Sequence, residues 1–150
     1  MYNWLLIITL LRAGAFLSPT SPVPAPTAAG PLQVRITNLR NEKGSIALLL
    51  FKSSYGFPDK PQFAVANRRF SIGSDPVFSF DNIPAGRYAL SVIHDENENT
   101  LLDTNIVGVP KEGYGFSGNP KALFGPPGFE VAAFTFTGAP REVSVRLIYW

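Results

Sequence analysis

Oxygen-bearing side chains recur at alternate positions in residues 94–105, which read HDENENTLLDTN. Counted from Asp95, the side-chain oxygens at positions 1, 3, 5 and 9 belong to Asp95, Asn97, Asn99 and Asp103. Side chains at this spacing converge on one point in a coiled loop, and hard oxygen ligands suit Ca²⁺. Leu101, at position 7, would add its main-chain carbonyl. The segment therefore predicts a Ca²⁺ site with these five residues as ligands.

Two positions depart from the EF-hand loop, which this spacing resembles. Position 6, where an EF-hand has glycine for a sharp turn, is Thr100, a β-branched residue poorly suited to a positive φ. Position 12, which should be a bidentate glutamate, is Ile106. We therefore expect weak binding, with a Kd of about 10⁻⁴ to 10⁻³ M. Glu112 would supply a third carboxylate if the loop doubles back. The alternative is that these Asp and Asn residues form Asx-turns in a solvated loop.

Catalytic arrangements find little support in the residue types present. His94 is the single histidine, so a Ser-His-Asp arrangement would need Ser91, Ser117 or a more distant serine to converge on it. Glycoside hydrolysis requires two carboxyl groups with different pKa values, one as general acid and one as base or nucleophile. The carboxylates of the loop lack the apolar surroundings that would raise the pKa of one of them. The absence of cysteine excludes disulfides, thiolate metal sites and cysteine catalysis. We predict a protein that is not an enzyme.

The charge distribution argues against a nucleic-acid partner. The formal net charge is +2, and the basic residues are spread thinly, with Arg68-Arg69 as a doublet that lacks interleaved aromatic residues. A nucleic-acid interface needs a basic patch or stripe. The sequence therefore predicts no nucleic-acid partner. It does not identify the partner, for which a cell-surface glycan or an envelope protein is a candidate.

The N-terminal part of the chain has the composition of a targeting segment followed by a linker. Residues 4–11 (WLLIITLL) are apolar and precede the small residues Ala13-Gly14-Ala15, which a signal peptidase accepts. We predict a signal peptide in residues 1–17 and a Pro/Ala-rich linker in residues 18–31, with no membrane span in the mature domain. The protein is then exported, to the periplasm, the cell surface or the medium.

From residue 32 onward, apolar residues alternate with polar ones at a period of two, which is typical of half-buried strands. Strands are predicted at residues 32–36, 45–51, 77–80, 87–93, 129–136 and 143–149, with an ambiguous stretch at 63–72. The long segment between residues 94 and 128 is predicted to be an ordered loop that caps the fold. The pattern predicts one all-β domain in residues 32–150, an antiparallel β-sandwich of about seven strands.

Three motifs in the same order resemble the DUF2141 family of bacterial exported domains of unknown function. They are FSFDNIPAGRYALSVIHD, HDENENTLLDTNIVGVPKEGYGFSGNP and FGPPGFEVAAFTF. The resemblance covers residues 32–149. The family pattern HDEN-x-NGKLDTN has glycine where this chain has Thr100. The first motif is similar to transthyretin-like sandwiches, so the resemblance implies that fold, and it brings no catalytic residues.

Two functions follow from the sequence. The first is a non-enzymatic envelope or accessory protein with a weakly calcium-stabilised loop. The second is a carbohydrate- or peptide-binding module that uses aromatic residues of the 106–129 loop. An aromatic platform would consist of Tyr55, Phe57, Tyr114, Phe116 and Trp150. Alternatively, most of these rings fill the core and hold the long loop in place.

Overall fold

The computed structural model describes residues 28–121 and 125–150. The predicted signal peptide, most of the predicted linker and Phe124 lie outside the described residues. Within these residues there are eight strands: β1 (Ala29–Thr37), β2 (Ser45–Phe51), β3 (Ala66–Ser71), β4 (Val77–Pro84), β5 (Gly86–Asp95), β6 (Gly113–Phe116), β7 (Phe134–Phe136) and β8 (Arg141–Arg146). A 3₁₀-helix spans Pro61–Phe63, and one short helix, α1, spans Phe129–Ala132. None of the helices in the described residues is long and apolar enough to cross a membrane.

The strands form two packed sheets, which confirms the predicted all-β sandwich. The first sheet has the order β4-β1-β8, and the second has the order β3-β2-β5-β6, with β7 paired to the start of β5. Alternate side chains of the facing strands fill the space between the sheets, as the period of two predicts. The core includes Leu32, Val34, Ile36, Ile46, Leu48, Leu50, Tyr88, Leu90 and Val92. Each such aliphatic or aromatic side chain stabilises the fold by about 1.5–3 kcal/mol.

One strand pair differs from the predicted antiparallel arrangement. β1 and β8 are parallel, with Leu32 opposite Arg141 and Thr37 opposite Arg146, whereas the other strand pairs are antiparallel. Parallel neighbours need a long crossover between them, and here the crossover is most of the domain.

Two segments depart from the predicted strands. Residues 129–136 were expected to be one strand, but they begin with α1 and continue as β7. The helical turn buries Phe129 and Ala132 together, because residues three apart lie on the same side of a helix. The ambiguous stretch at 63–72 forms the end of the 3₁₀-helix and then β3, an edge strand.

A second apolar cluster lies on part of the outer face of the five-stranded sheet. It contains Leu49, Phe51, Ala89, Tyr114, Phe116, Phe129 and Ala132. Because β2 is covered on both faces, all seven of its residues (SIALLLF) are buried. This explains why β2 is a continuous apolar run rather than an alternating one.

Candidate functional site

Asp95, the last residue of β5, fixes the start of the predicted calcium loop. Its carboxylate is buried and accepts main-chain hydrogen bonds from Asn99 (3.1 Å) and Thr100 (2.8 Å). Nη1 of Arg69, on β3, lies 2.5 Å from Oδ2 of Asp95 and also donates to Oγ of Ser45. A buried charge is tolerated when it is paired and hydrogen-bonded, and all of these partners meet that need. Asp95 therefore joins the loop to the five-stranded sheet.

Glu112 holds the other end of the same loop. The loop doubles back, and this carboxylate, 4% exposed, accepts hydrogen bonds from the main-chain amides of Glu96 (2.9 Å) and Asp103 (3.1 Å). One oxygen serves each amide. Glu112 precedes β6 directly, so it ties the loop to that strand. Glu112 therefore holds the main chain at Glu96 and at Asp103 together.

Asn97, Asn99 and Asp103 come together, as the spacing predicts. The side-chain amides of Asn97 and Asn99 donate to the Asp103 carboxylate at 2.7 and 3.1 Å. Their Oδ1 atoms accept from the main-chain amides of Asn99 and Leu101, which are Asx-turns. Residues 28–121 and 125–150 contain no group of three or more His, Asp or Glu side chains arranged to hold a metal ion. The Ca²⁺ site stays a prediction, and the Asx-turns supply a cause of order that needs no ion.

Thr100 has the left-handed backbone conformation that its side chain disfavours, with φ at +71°. The main-chain amide of Thr100 donates to the Asp95 carboxylate, and this hydrogen bond holds Thr100 in the positive-φ conformation. A β-branched residue pays a steric cost there that glycine does not. The glycine of the family pattern occupies the same position.

Replacement of Thr100 with glycine is therefore expected to stabilise the domain by about 1 kcal/mol. Urea unfolding of the two proteins measures the difference. Thr104→Gly is the matched control, because Thr104 lies outside the positive-φ residues and should lose about 0.5–1 kcal/mol on the same change. Equal effects of the two substitutions would show that the turn at Thr100 is unstrained.

His94 lies in the interior as part of a hydrogen-bond network. Nε2 donates to the carbonyl of Lys43 (2.8 Å), so Nδ1 accepts from the hydroxyl of Tyr149 (2.8 Å). Burial raises the pKa of the Tyr149 phenol, and this effect, together with the Glu96 charge, outweighs the lowering by the main-chain amide and the charge of Arg40. The hydroxyl therefore keeps its proton at neutral pH and can donate to His94. Both ring nitrogens are occupied by structural partners.

The serines considered as nucleophiles do not meet His94. Ser117 is buried, donates its hydroxyl to the carbonyl of Ala132 (2.6 Å) and accepts from the amide of Leu90 (2.8 Å). The Ser117 hydroxyl therefore supplies the hydrogen-bond acceptor that a neighbouring strand would otherwise give to the Leu90 amide of β5. Ser91 lies on β5 three residues before His94, so the two side chains point to opposite faces of the sheet.

Glu96 connects the loop to the segment between β1 and β2. Burial raises the pKa of its carboxyl, but hydrogen bonds from Asn41 and Arg40 and the charge of Arg40 outweigh that effect. The pKa therefore lies below its usual range. The Arg40 guanidinium also lies 4.6 Å from the centre of the Tyr149 ring, so the loop and the His94 network share a neighbour.

A groove of about 1360 Å³ lies on the outer face of the five-stranded sheet, next to this loop. Its floor consists of Ala47, Leu49, Ser91, Ile93, Tyr114 and Phe116. In the strand register, Ala47 is opposite Ile93 and Leu49 is opposite Ser91, so each row pairs a small residue with a large one. Residues 100–102 and 108–110 form one wall, and Pro58, Asp59 and Pro61 form another.

Apolar surface is exposed at the rim of the groove rather than on its floor. Leu49 and Ser91 are 6% and 4% exposed, whereas Leu101 and Trp150 are 66% and 63% exposed. Nε1 of Trp150 donates to the hydroxyl of Tyr114 (2.8 Å), which fixes the orientation of the indole. A ligand would therefore contact Leu101 and Trp150 first.

The predicted aromatic platform is only partly at the surface. Tyr55 and Trp150 are exposed, but Tyr114, Phe116 and Phe129 are each less than a tenth exposed and belong to the second apolar cluster. Phe57 packs edge-on against Phe51. The rings of the 106–129 loop that the structure describes thus hold the loop against the sheet.

A family model described as an uncharacterized protein conserved in bacteria (DUF2141) matches residues 34–144. The matched range contains the loop between β5 and β6, both of its anchoring carboxylates, and all strands except residues 29–33 of β1 and 145–146 of β8. No curated protein and no solved structure matches the chain.

Proposed function

The chain belongs to the DUF2141 family of bacterial proteins, and from that starting point we propose that it is an exported, non-enzymatic accessory domain that binds a ligand in the groove of its five-stranded sheet. The family has no known activity that could be carried over. The proposal therefore rests on the groove and on the loop that walls it.

The observation that supports binding most is a largely apolar groove beside an anchored wall. Ligand sites are concave, mostly apolar and supplied with a few polar groups. Asn67, Arg69 and Asp59 are such groups here. The wall formed by residues 100–102 and 108–110 lies between two anchoring carboxylates, Asp95 and Glu112, so little ordering is needed when a ligand binds.

The chemistry of the lining favours binding over catalysis. Among the described residues that line the groove, the charged groups are Asp59 and Arg69, and Arg69 is already paired with the buried Asp95. General acid–base catalysis needs a group within hydrogen-bonding reach of the substrate that can give up or accept a proton at the working pH. A guanidinium does not release its proton in proteins.

Export is supported by the sequence of residues 4–17 alone. Expression of the full chain in a bacterial host, followed by cell fractionation and N-terminal sequencing, tests it. A mature N-terminus near residue 18 in the exported fraction is expected, and a full-length cytoplasmic product would contradict export.

Replacement of Leu101 with aspartate is expected to weaken ligand binding at least tenfold, because it places a charge on the exposed rim of the groove. Glycan and peptide arrays provide the ligands, and titration calorimetry measures the affinity. Ile106→Asp is the matched control, since Ile106 is exposed on the same loop but does not line the groove. Equal losses in both variants, or none in either, would contradict the proposed site.

Weak Ca²⁺ binding by the loop remains part of the proposal, supported by the proximity of Asn97, Asn99 and Asp103. With a Kd of about 1 mM, 10 mM Ca²⁺ should stabilise the domain by about 1.4 kcal/mol. A thermal-shift series measures this, with Mg²⁺ as the ionic-strength control. Asp103→Asn should abolish the shift, because it removes a carboxylate while Asp95 and Glu112 keep the loop folded. A shift that persists in this variant, or no shift in the wild type, would contradict ion binding.

A further inference from the structure

We infer that the ligand of the groove is an extended polypeptide with acidic side chains, which adds as a strand to the outer edge of β3. The inference rests on the proposed function and names the chemical class of its ligand. Three features support it: an edge strand with unpaired main-chain groups, its position beside the groove, and an arginine without a carboxylate partner.

β3 is an edge strand of the five-stranded sheet. In residues 28–121 and 125–150 it pairs with β2 alone, so alternate amides and carbonyls along its other side have no strand partner. Its sequence, ANRRFS, contains no proline or glycine to prevent pairing. Edges of this kind accept an extended peptide through main-chain hydrogen bonds.

This edge borders the groove. Asn67 and Arg69 line the groove, and they are opposite Leu49 and Ala47, which belong to its floor. A strand added to β3 would continue the same sheet surface, and every second side chain would lie on the groove side. Main-chain bonds would then supply affinity, and the groove would select the apolar side chains.

Arg68 defines the charge of the partner. It is exposed, and its Nη1 donates to the main-chain carbonyl of Asn67 (3.1 Å). No carboxylate of the described residues lies within 4.0 Å of its guanidinium nitrogens, and residues 1–27 and 122–124 contain no Asp or Glu. Arg69, by contrast, is neutralised by Asp95. A charge on an edge strand discourages pairing with apolar or basic strands and admits an acidic one.

A second copy of this chain is a poorer occupant of the edge. Two β3 strands paired antiparallel about a twofold axis keep side chains of the same face opposite each other, so a register centred on Arg68 would place the two Arg68 side chains opposite each other. Like charges directly opposite each other destabilise a strand pair. An acidic partner strand would instead place opposite charges next to each other, which stabilises the pair.

The test uses the full domain and a synthetic ten-residue peptide of alternating valine and glutamate with blocked ends. Titration calorimetry should detect binding that weakens at least tenfold when lysine replaces glutamate in the peptide. Arg68→Glu should produce the same loss, whereas the matched reversal Arg146→Glu, on the exposed face of β8, should not. Hydrogen exchange should show new protection of alternate amides in β3 on peptide addition.

A peptide N-methylated at alternate amides distinguishes main-chain pairing from nonspecific charge attraction. Methylation should abolish binding, and equal binding by the methylated peptide would overturn the inference. Failure of the wild-type domain to bind any of these peptides would also overturn it. If Leu101→Asp abolishes binding of an array glycan while Arg68→Glu leaves that binding unchanged, the groove is a binding site but the inferred strand addition is wrong. If neither variant affects any ligand, both proposals fail.

Discussion

Replacement of Asp95 with alanine is expected to destabilise the domain by about 2–4 kcal/mol, because two main-chain amides lose their buried, charged acceptor. The substitution removes the acceptor for the amides of Asn99 and Thr100 and leaves the Arg69 guanidinium beside a small apolar side chain. Since a domain of this size is stable by about 5–15 kcal/mol, the loss is a large fraction of the total. Urea unfolding followed by tryptophan fluorescence measures it.

Two further variants show whether the effect comes from the network around Asp95. Asp59→Ala, an exposed carboxylate of the groove wall, should change stability by less than about 0.5 kcal/mol. The double variant with Arg69→Ala should be less destabilised than the sum of the single changes, because no unpaired charge remains. Hydrogen exchange of residues 96–104 in the single variant should rise to that of an open loop. A loss below about 1 kcal/mol would mean that the loop is held mainly by other contacts.

Replacement of Gly115 with alanine is expected to cost about 2–3 kcal/mol, because the added methyl group has no space. A Cβ at this position would lie 2.7 Å from the main-chain oxygen of Arg146 and 2.8 Å from Cγ1 of Val145. β6 and the end of β8 would have to separate, and the bridge between Tyr114 and Ile148 would be strained. Thermal unfolding measures the loss.

Gly73→Ala is the matched comparison for Gly115, since nothing lies within 4 Å of a Cβ built at Gly73. That change should be neutral or stabilising by a few tenths of a kcal/mol, because alanine reduces the entropy of the unfolded chain. Similar melting temperatures for the two variants would show that the two sheets are not in close contact at Gly115.

The sequence predicts the central strands well because the pattern of apolar residues within each strand is typical of a β-strand. The apolar run of β2 and the alternation of Tyr88, Leu90 and Val92 in β5 follow directly from strand periodicity. β6 lacks that signal. Its inward positions are Gly113 and Gly115, which bring the main chain against Tyr149 and Arg146, so no inward apolar side chain reveals the strand. A close approach of two strands is a tertiary property and cannot be read from four residues.

The candidate site is likewise partly visible in the sequence. The spacing from Asp95 to Asp103 indicates a cluster, and Glu112 is identified as a residue that would join it. The partner of Asp95, Arg69, is 26 positions earlier in the chain and reaches it only because β3, β2 and β5 are adjacent in one sheet. The groove floor is harder still to predict, since it combines residues from three strands, and local sequence patterns do not determine how those strands are aligned.

The parallel pairing of β1 with β8 has a consequence for how the domain folds. Partners in this pair are 109 positions apart in the chain, and β1 is the central strand of its sheet. Contacts of such large sequence separation must overcome the entropy of closing a long loop, and proteins dominated by them fold slowly, in milliseconds to seconds. During synthesis β1 is made long before β8, so the three-stranded sheet is completed only after β8 is available. Until then, one hydrogen-bonding edge of β1 is unpaired, and it is in this interval that we expect aggregation to compete with folding.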